Sequence, residues 1–249
     1  MGREKIRILL LDIETSPNTA YVWKLFKETI PLARLIDSSE VLCWSAKWLD
    51  DKKVMFDSVY QSTPKRMLSN IHKLLDEADA VVHYNGKSFD IPTLNKEFLV
   101  YGFPPPAPYK QIDLINTARS QFRFTSNKLD YICQRLGLGA KTETSFQLWV
   151  DCMNKDQNAW KKMEKYNRND VLMLEALYNK LLPWIRNHPN VGLYKKKSLC
   201  CPHCGSTHFH SRGYSYTSTC RYNRFRCADC GTWFRDRTNN MKEERYSNV

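Results

Sequence analysis

The chain has 249 residues, enough for one large domain and a small one, and its 42% hydrophobic and 12% aromatic residues can supply a core, which excludes a disordered chain. A formal charge of +12 points to a polyanionic partner, nucleic acid first. No apolar run reaches roughly 18 residues, and charged residues interrupt the N-terminus, so neither a membrane span nor a signal peptide is expected.

The default setting is therefore cytoplasmic and reducing, with a nucleoid-associated or virus-encoded protein as variants of it. Nine cysteines there are more readily thiols or metal ligands than disulfides.

Ile6 to Leu11 is a near-continuous apolar run that suits a central strand covered on both faces. Asp12 and Glu14 are set into its end, and the two-residue period of a strand points them to the same side. Two like charges beside a buried strand repel and are costly to desolvate, and a divalent cation would offset both problems. Taken alone, the pair reads equally well as a strand end followed by a solvated turn at Thr15, Ser16 and Pro17.

Further strands are expected at Tyr21–Trp23, Val41–Leu49 and Lys53–Tyr60, with a turn at Asp50–Lys53. Pro64–Glu77 carries Met67, Leu68, Ile71, Leu74 and Leu75 at helical spacing. A short strand follows at Ala78–Tyr84. Ser88 then caps a helix to about Tyr101, with Phe89, Leu94, Phe98 and Leu99 facing inward. The prolines of 102–108 make a loop. Helices are expected over Asp113–Phe122, Lys128–Leu136 and Asp156 to about Arg186, the last broken near Pro183. Residues 188–197, with Pro189, Gly192 and three lysines, read as a basic linker between a domain of residues 1–187 and a module of residues 198–249. Strands first, then helices and strands together, indicate an α/β or α+β arrangement.

Two more acids stand out by setting. Asp90 sits in the first turn of its helix, where a carboxylate has an ordinary reason to be because it complements the helix dipole. Asp170 shares a helical face with Leu174, Leu177 and Leu181, and an unpaired aspartate on a packed face is expensive. Tyr166 lies one turn earlier on that face. Four carboxylates converging on one point would make a poor core and a good site for Mg²⁺ or Mn²⁺.

Asp12-Ile13-Glu14, then Asn85-x-x-x-Phe89-Asp90, then Tyr166-x-x-x-Asp170 resembles, in order and spacing, the three motifs of the DEDD 3′–5′ exonuclease superfamily, tyrosine subtype. The likeness is to the proofreading domain of family B DNA polymerases and related stand-alone nucleases. It covers about residues 5 to 185 and extends to Lys128-Leu129-Asp130-Tyr131 with Leu136-Gly137-Leu138. The resemblance implies an RNase H-like fold, a five-stranded mixed sheet with helices on its faces. It implies two Mg²⁺ or Mn²⁺ ions, with Asp12 shared by both, Glu14 and Asp170 completing the tighter site, and Asp90 serving the second. It implies that Tyr166 orients the attacking water, that Asn85 and Phe89 shape the strand-binding cleft, and that Thr15 lies near the terminal nucleotide. Asp113 reads as a helix N-cap and His83 as a structural histidine.

Most of the cysteines fall between Cys200 and Cys230. Cys201-Pro-His-Cys204-Gly and Cys227-Ala-Asp-Cys230-Gly form two knuckles, 22 residues apart, whose four thiolates would close one structural Zn²⁺ site. Each glycine supplies the positive φ of a tight turn. From Lys195 onward the chain carries a net charge of +7. Arg221, Arg224, Arg226 and Arg235 are interleaved with Tyr222, Phe225, Trp233 and Phe234, a mixture suited to phosphates and bases, although the aromatics also have to build the module's own core. The module resembles the zinc ribbons of some transposases.

The function implied is a metal-dependent 3′–5′ exonuclease acting on single-stranded or frayed DNA ends, with a replication or repair protein such as a polymerase as a partner class and no membrane. The alternatives are an RNA 3′ exonuclease, an inactive nucleic-acid-binding adaptor, and a zinc-dependent protein-interaction module.

Overall fold

A computed structural model describes residues 5–49, 51–195 and 199–240. Asp50, Lys196 and Lys197 of the expected turn and linker lie outside the described residues, as do residues 1–4, 198 and 241–249 of the expected domains. The chain divides into two compact units, Arg7–Tyr178, and Asn179–Val249 together with Met1–Ile6.

The larger unit is built on one mixed sheet. Its strands are β1 (Ile8–Thr15), β4 (Val41–Trp48), β5 (Met55–Ser58), β6 (Ala80–His83) and β7 (Lys110–Asp113), in the order β5-β4-β1-β6-β7. β1 runs antiparallel to β4 and parallel to β6, and so is the central strand. A separate pair, β2 (Thr19–Ala20) and β3 (Leu35–Asp37), lies between β1 and β4 in sequence. The expected strand at Tyr21–Trp23 does not form. Those side chains reach solvent, Trp23 with 84% of its surface, and find no neighbouring strand to pack on.

The alternation of β1 divides the unit into two packing layers. Leu9, Leu11 and Ile13 join α1 (Pro64–Glu77) and α2 (Asp90–Val100) in one core with Met67, Ile71, Leu94 and Phe98. The opposite layer contains Leu42 and Cys43 of β4 packed with Leu148, Cys152, Trp160, Met163 and Tyr166. These come from α5 (Phe146–Met153) and α6 (Gln157–Leu181). Helices α3 (Leu114–Gln121) and α4 (Leu129–Arg135) complete the unit.

Helix α1 starts as its sequence demands, with Thr63 accepting from the Arg66 N–H and Pro64 at the first helical position. The start of α2 differs from expectation. Its N-cap is Phe89, whose ring is 44% exposed, and Ser88 makes no capping bond. Leu99 is 80% exposed because Leu94 and Phe98 already fill the inward face of α2. β7 and α5 occupy stretches where periodicity marked no element.

The smaller unit contains a three-stranded antiparallel sheet, β8 (Phe209–Tyr216), β9 (Arg221–Cys227) and β10 (Trp233–Arg235). Among the described residues no helix is long and apolar enough to cross a membrane.

Candidate active site and zinc-ribbon cluster

Asp12 and Glu14 occupy alternate positions of β1, on the side away from the Leu9–Leu11–Ile13 core. That side faces α6, which brings Asp170. One carboxylate oxygen from each of Asp12, Glu14 and Asp170 lies within 4.8 Å of the others. A register shift between Glu14 and Thr15 skips Leu42, so Glu14 pairs with Cys43 and Thr15 with Val41 of β4. Helix α6 is held on the sheet by two polar ties. Lys47 of β4 pairs with Glu175, and Asn167 Nδ2 donates to Asp12 Oδ2 at 2.6 Å.

Asp90 is buried beside this triad without being part of it. Its Oδ1 accepts the Ile13 N–H at 3.2 Å, so the first turn of α2 is fastened to β1. The loop before it is set by Asp113, which caps α3 through the Ile115 N–H and also accepts from the N–H groups of Asn85 (2.8 Å) and Lys87 (3.2 Å). Asn85 sits at φ 66°, a conformation that asparagine tolerates better than most residues. Gly86 is packed so closely that a Cβ there would meet the His83 ring at 2.5 Å. His83 is buried with Nδ1 3.5 Å from Asp113 Oδ2, so both His83 and Asp113 take structural parts.

Crowding and burial make this a cluster that resists ionisation. Burial first, then the charges of Glu14, Asp90 and Asp170, push the Asp12 carboxyl well above its ordinary range. Burial and Asp170 push Glu14 up to about 8, and burial pushes Asp90 up to about 6. Asp170 is 2% exposed and is also raised, burial outweighing its ion pair. Its Oδ1 is buried with no hydrogen-bond partner.

The cation in that pair is Lys141, a residue that no motif marks. Its Nζ lies 2.5 Å from Asp170 Oδ2 and 3.1 Å from the Tyr166 hydroxyl. Burial pushes the Tyr166 hydroxyl up, so it keeps its proton. Trp149 also enters the site, its ring set edge-on to the Tyr166 ring with centroids 5.8 Å apart. An orphaned carboxylate oxygen, four raised carboxyls and an all-oxygen donor set fit a divalent cation of the Mg²⁺ or Mn²⁺ type.

In the smaller unit the four cysteines of the two knuckles, Cys201, Cys204, Cys227 and Cys230, bring their sulfurs within 4.8 Å of one another. The Cys201–Cys230 and Cys204–Cys227 distances are both 3.6 Å. Tetrahedral Zn–S bonds of about 2.3 Å place sulfurs about 3.8 Å apart, so the donor set fits zinc. Backbone N–H groups of His203 and Cys204 point to Cys201, and those of Asp229 and Cys230 to Cys227. Gly205 and Gly231 close the knuckles at φ 71° and 76°. His203 is engaged elsewhere, with Nδ1 3.0 Å from the Leu182 carbonyl.

The basic residues divide between the two faces of this sheet. Arg224 and Arg226 lie over the Trp233 ring, and Arg235 lies 4.1 Å over Tyr222. The strand register puts these five side chains on one face. Arg221 is on the other, over Tyr214 and bonded to the Asn240 carbonyl. Phe209, Phe225 and Phe234 form the module's small aromatic core.

A mixed five-stranded sheet whose central strand and last long helix converge acidic side chains is the architecture of the RNase H-like class, and the chain also carries a Cys₄ cluster. The model of the RNase_H superfamily matches residues 28–182, more than half of the chain, and the chain belongs to that superfamily. The match begins after β1, so Asp12 and Glu14 rest on the geometry above. In fold the chain is similar to the family B DNA polymerase from the hyperthermophilic archaeon Pyrobaculum calidifontis, with a TM-score of 0.55 at 16% identity. That likeness covers 86% of this chain and 31% of the polymerase, so the chain spans less than a third of that protein. No curated protein matches the chain.

Proposed function

We propose that the chain is a metal-dependent 3′–5′ exonuclease that hydrolyses the 3′-terminal phosphodiester of single-stranded or frayed DNA and releases nucleoside 5′-monophosphates. The observation that carries the reading is the Asp12–Glu14–Asp170 triad, in which Asp170 Oδ1 is buried without a hydrogen-bond partner. The superfamily and the fold likeness support it.

In this reading Asp12, Glu14, Asp90 and Asp170 would hold two divalent ions, with Asp90, which stands outside the triad, serving the second. Divalent ions there would supply charge neutralisation for the attacking and departing oxygens of phosphoryl transfer. The chain's own residues do the rest. Asn167 fixes the Asp12 carboxylate in place through its 2.6 Å hydrogen bond. Tyr166, protonated and one helical turn from Asp170, orients the attacking water. Thr15, Asn85 and Phe89 border the entry of the strand. The nuclease domain is residues 1–187, the linker 188–197 and the zinc-binding module 198–249. Arg224, Arg226 and Arg235 on the aromatic-backed face of the module hold phosphates, with Arg221 contributing from the other face.

The test is digestion of 5′-labelled DNA and RNA oligonucleotides with Mg²⁺, Mn²⁺ or no added divalent ion. The expected product is a ladder that shortens from the 3′ end, faster on DNA, only with the metal. A preference for RNA would reassign the substrate. Tight binding without digestion would leave an adaptor.

A further inference from the structure

Between β1 and β4 the chain leaves the main sheet for an excursion, residues 17–40, that contributes nothing to the acidic cluster. Tyr21, Trp23, Leu25, Phe26 and Leu32 each leave three-quarters or more of their surface in solvent there. Single exposed apolar residues are ordinary, but so many within one loop mark an interaction surface.

The excursion is built rather than frayed. β2 and β3 close its base, and the Tyr21 N–H donates to the Arg34 carbonyl at 3.0 Å. Glu28 accepts from the N–H groups of Trp23 (3.1 Å) and Lys24 (2.8 Å) and pairs with Arg34. Lys27 turns the loop at φ 53°, a conformation uncommon for a residue with a side chain. The loop's polar groups thus hold it in shape while its apolar groups face water.

Charge selects what covers it. Lys24, Lys27 and Arg34 balance Glu28, Asp37 and Glu40, so the excursion is neutral in a chain of +12. Phosphate binding needs a surplus of positive charge, which argues against a nucleic-acid strand here. Glu28 and Arg34 satisfy each other, which leaves Lys24 and Lys27 in the loop and Asp37 and Glu40 at its closing strand. Asp37 and Glu40 line a cavity of about 520 Å³ together with Lys155 and with Tyr60, whose ring stacks on Trp160 at 5.6 Å. Two carboxylates against one ammonium, beside an aromatic pair, suit a cationic side chain. One surface therefore offers apolar groups, lysines and an acidic cavity, and is complementary to itself, as a twofold interface requires. Its three aromatics alone offer about 350–600 Å². The leucines bring this to the order of the roughly 800 Å² per partner of a stable interface.

We propose that residues 19–37 are a dimerisation arm, through which two copies of the chain pack their exposed apolar side chains together about a twofold axis, Lys24 or Lys27 of each copy entering the acidic cavity of the other. The apolar contact supplies the affinity, and the charges set the register. The proposal stands apart from the exonuclease reading, because its readout is mass.

The experiment is sedimentation of the zinc-loaded full chain. A species of twice 29.3 kDa should dominate at about 10 µM and above, since interfaces of this size bind at micromolar concentration or tighter. Trp23→Ser combined with Phe26→Ser, both at exposed positions, should raise the dimer dissociation constant about 100-fold. Lys24→Glu with Lys27→Glu, and separately Asp37→Lys with Glu40→Lys, should each weaken self-association about tenfold by opposing like charges. Mixing those two variants should restore it, because each then meets its complement in the other. A wild type that stays monomeric at about 100 µM overturns the arm, as does a dimer whose constant the Trp23→Ser, Phe26→Ser variant leaves unchanged. Charge variants that do not recover on mixing overturn the lysine-to-cavity register. If the serine variant loses binding to a DNA oligonucleotide while its mass matches that of wild type, the surface belongs to the substrate and the dimer is refuted.

Discussion

Lys141→Met removes the cation that the described structure sets against Asp170. Lys141 Nζ is 2.5 Å from Asp170 Oδ2 and 3.1 Å from the Tyr166 hydroxyl. Breaking a fully buried pair costs about 3–5 kcal/mol, because one charge is left alone in a poor solvent. The Lys141 side chain keeps 32% of its surface exposed, and an abandoned Asp170 can take up a proton, so we expect about half of that, ~2 kcal/mol. For a chain of this size that lowers Tm by about 4–8 °C. Mn²⁺ would stand in for the lost ammonium at the carboxylates, so its addition should stabilise Lys141→Met more than it stabilises the wild type. Differential scanning calorimetry of both proteins, with and without Mn²⁺, reads this directly. A variant as stable as wild type in the metal-free state, or one whose deficit is the same with and without Mn²⁺, would refute the idea that Lys141 offsets the cluster's charge.

Three further outcomes follow from the same cluster and from the ribbon. In metal-free protein Glu14 is raised to about 8 and Asp90 to about 6, so the folded state holds protons that the unfolded chain has released. Stability is then fullest below the unfolded carboxyl values and falls as pH rises through about 6 to about 8, and Mn²⁺ should flatten the slope; a metal-free Tm that climbs over that range contradicts it. Asp12→Asn replaces a crowded buried acid that resists ionisation by a neutral amide that can still accept from Asn167, so it should raise metal-free stability by about 1–2 kcal/mol while abolishing digestion; a destabilised variant would show the carboxylates are not in conflict. Cys204→Ser should abolish Zn²⁺ retention and collapse the sheet of β8 to β10, seen in Trp233 fluorescence; a protein that keeps stoichiometric zinc would rule out the Cys₄ site.

Asp12, Glu14 and Asp170 were legible in the sequence because each breaks a local rule, whereas Asp90 obeys one and stood out only through the motif it belongs to. Asp12 and Glu14 end an apolar strand, and Asp170 interrupts the packed face of a long helix. The knuckle cysteines were legible because their spacing is itself the geometry. Lys141 was not, since it lies outside every element, between α4 and α5, and reaches Asp170 only through the tertiary fold. Trp149 was hidden because α5 is only eight residues long, too short for a periodic pattern to stand out. Asn167 looked like one polar residue among many in α6, and only its 2.6 Å bond to Asp12 separates it from the rest. Tyr21–Trp23 misled in the opposite direction, since strand-forming residues need a partner strand and, beyond the Tyr21 N–H bond to the Arg34 carbonyl, none among the described residues pairs with them. The ribbon arginines were visible as a group, but the register of β9 and β10 was needed to show that Arg221 faces away from Arg224, Arg226 and Arg235.

The central claim is that the carboxylates of β1, α2 and α6 are the metal-binding machinery of a nuclease. Its most direct test is the Mn²⁺-dependent release of the 3′-terminal nucleotide by wild type and by Asp170→Asn, in proteins shown to fold and to retain zinc. Outer-shell partners of a metal site typically give losses of about 10–100-fold, and a direct ligand should give more. We therefore predict a loss beyond 100-fold for Asp170→Asn, with strand binding intact. Undiminished release by Asp170→Asn, or release by wild type that needs no divalent ion, would contradict the account.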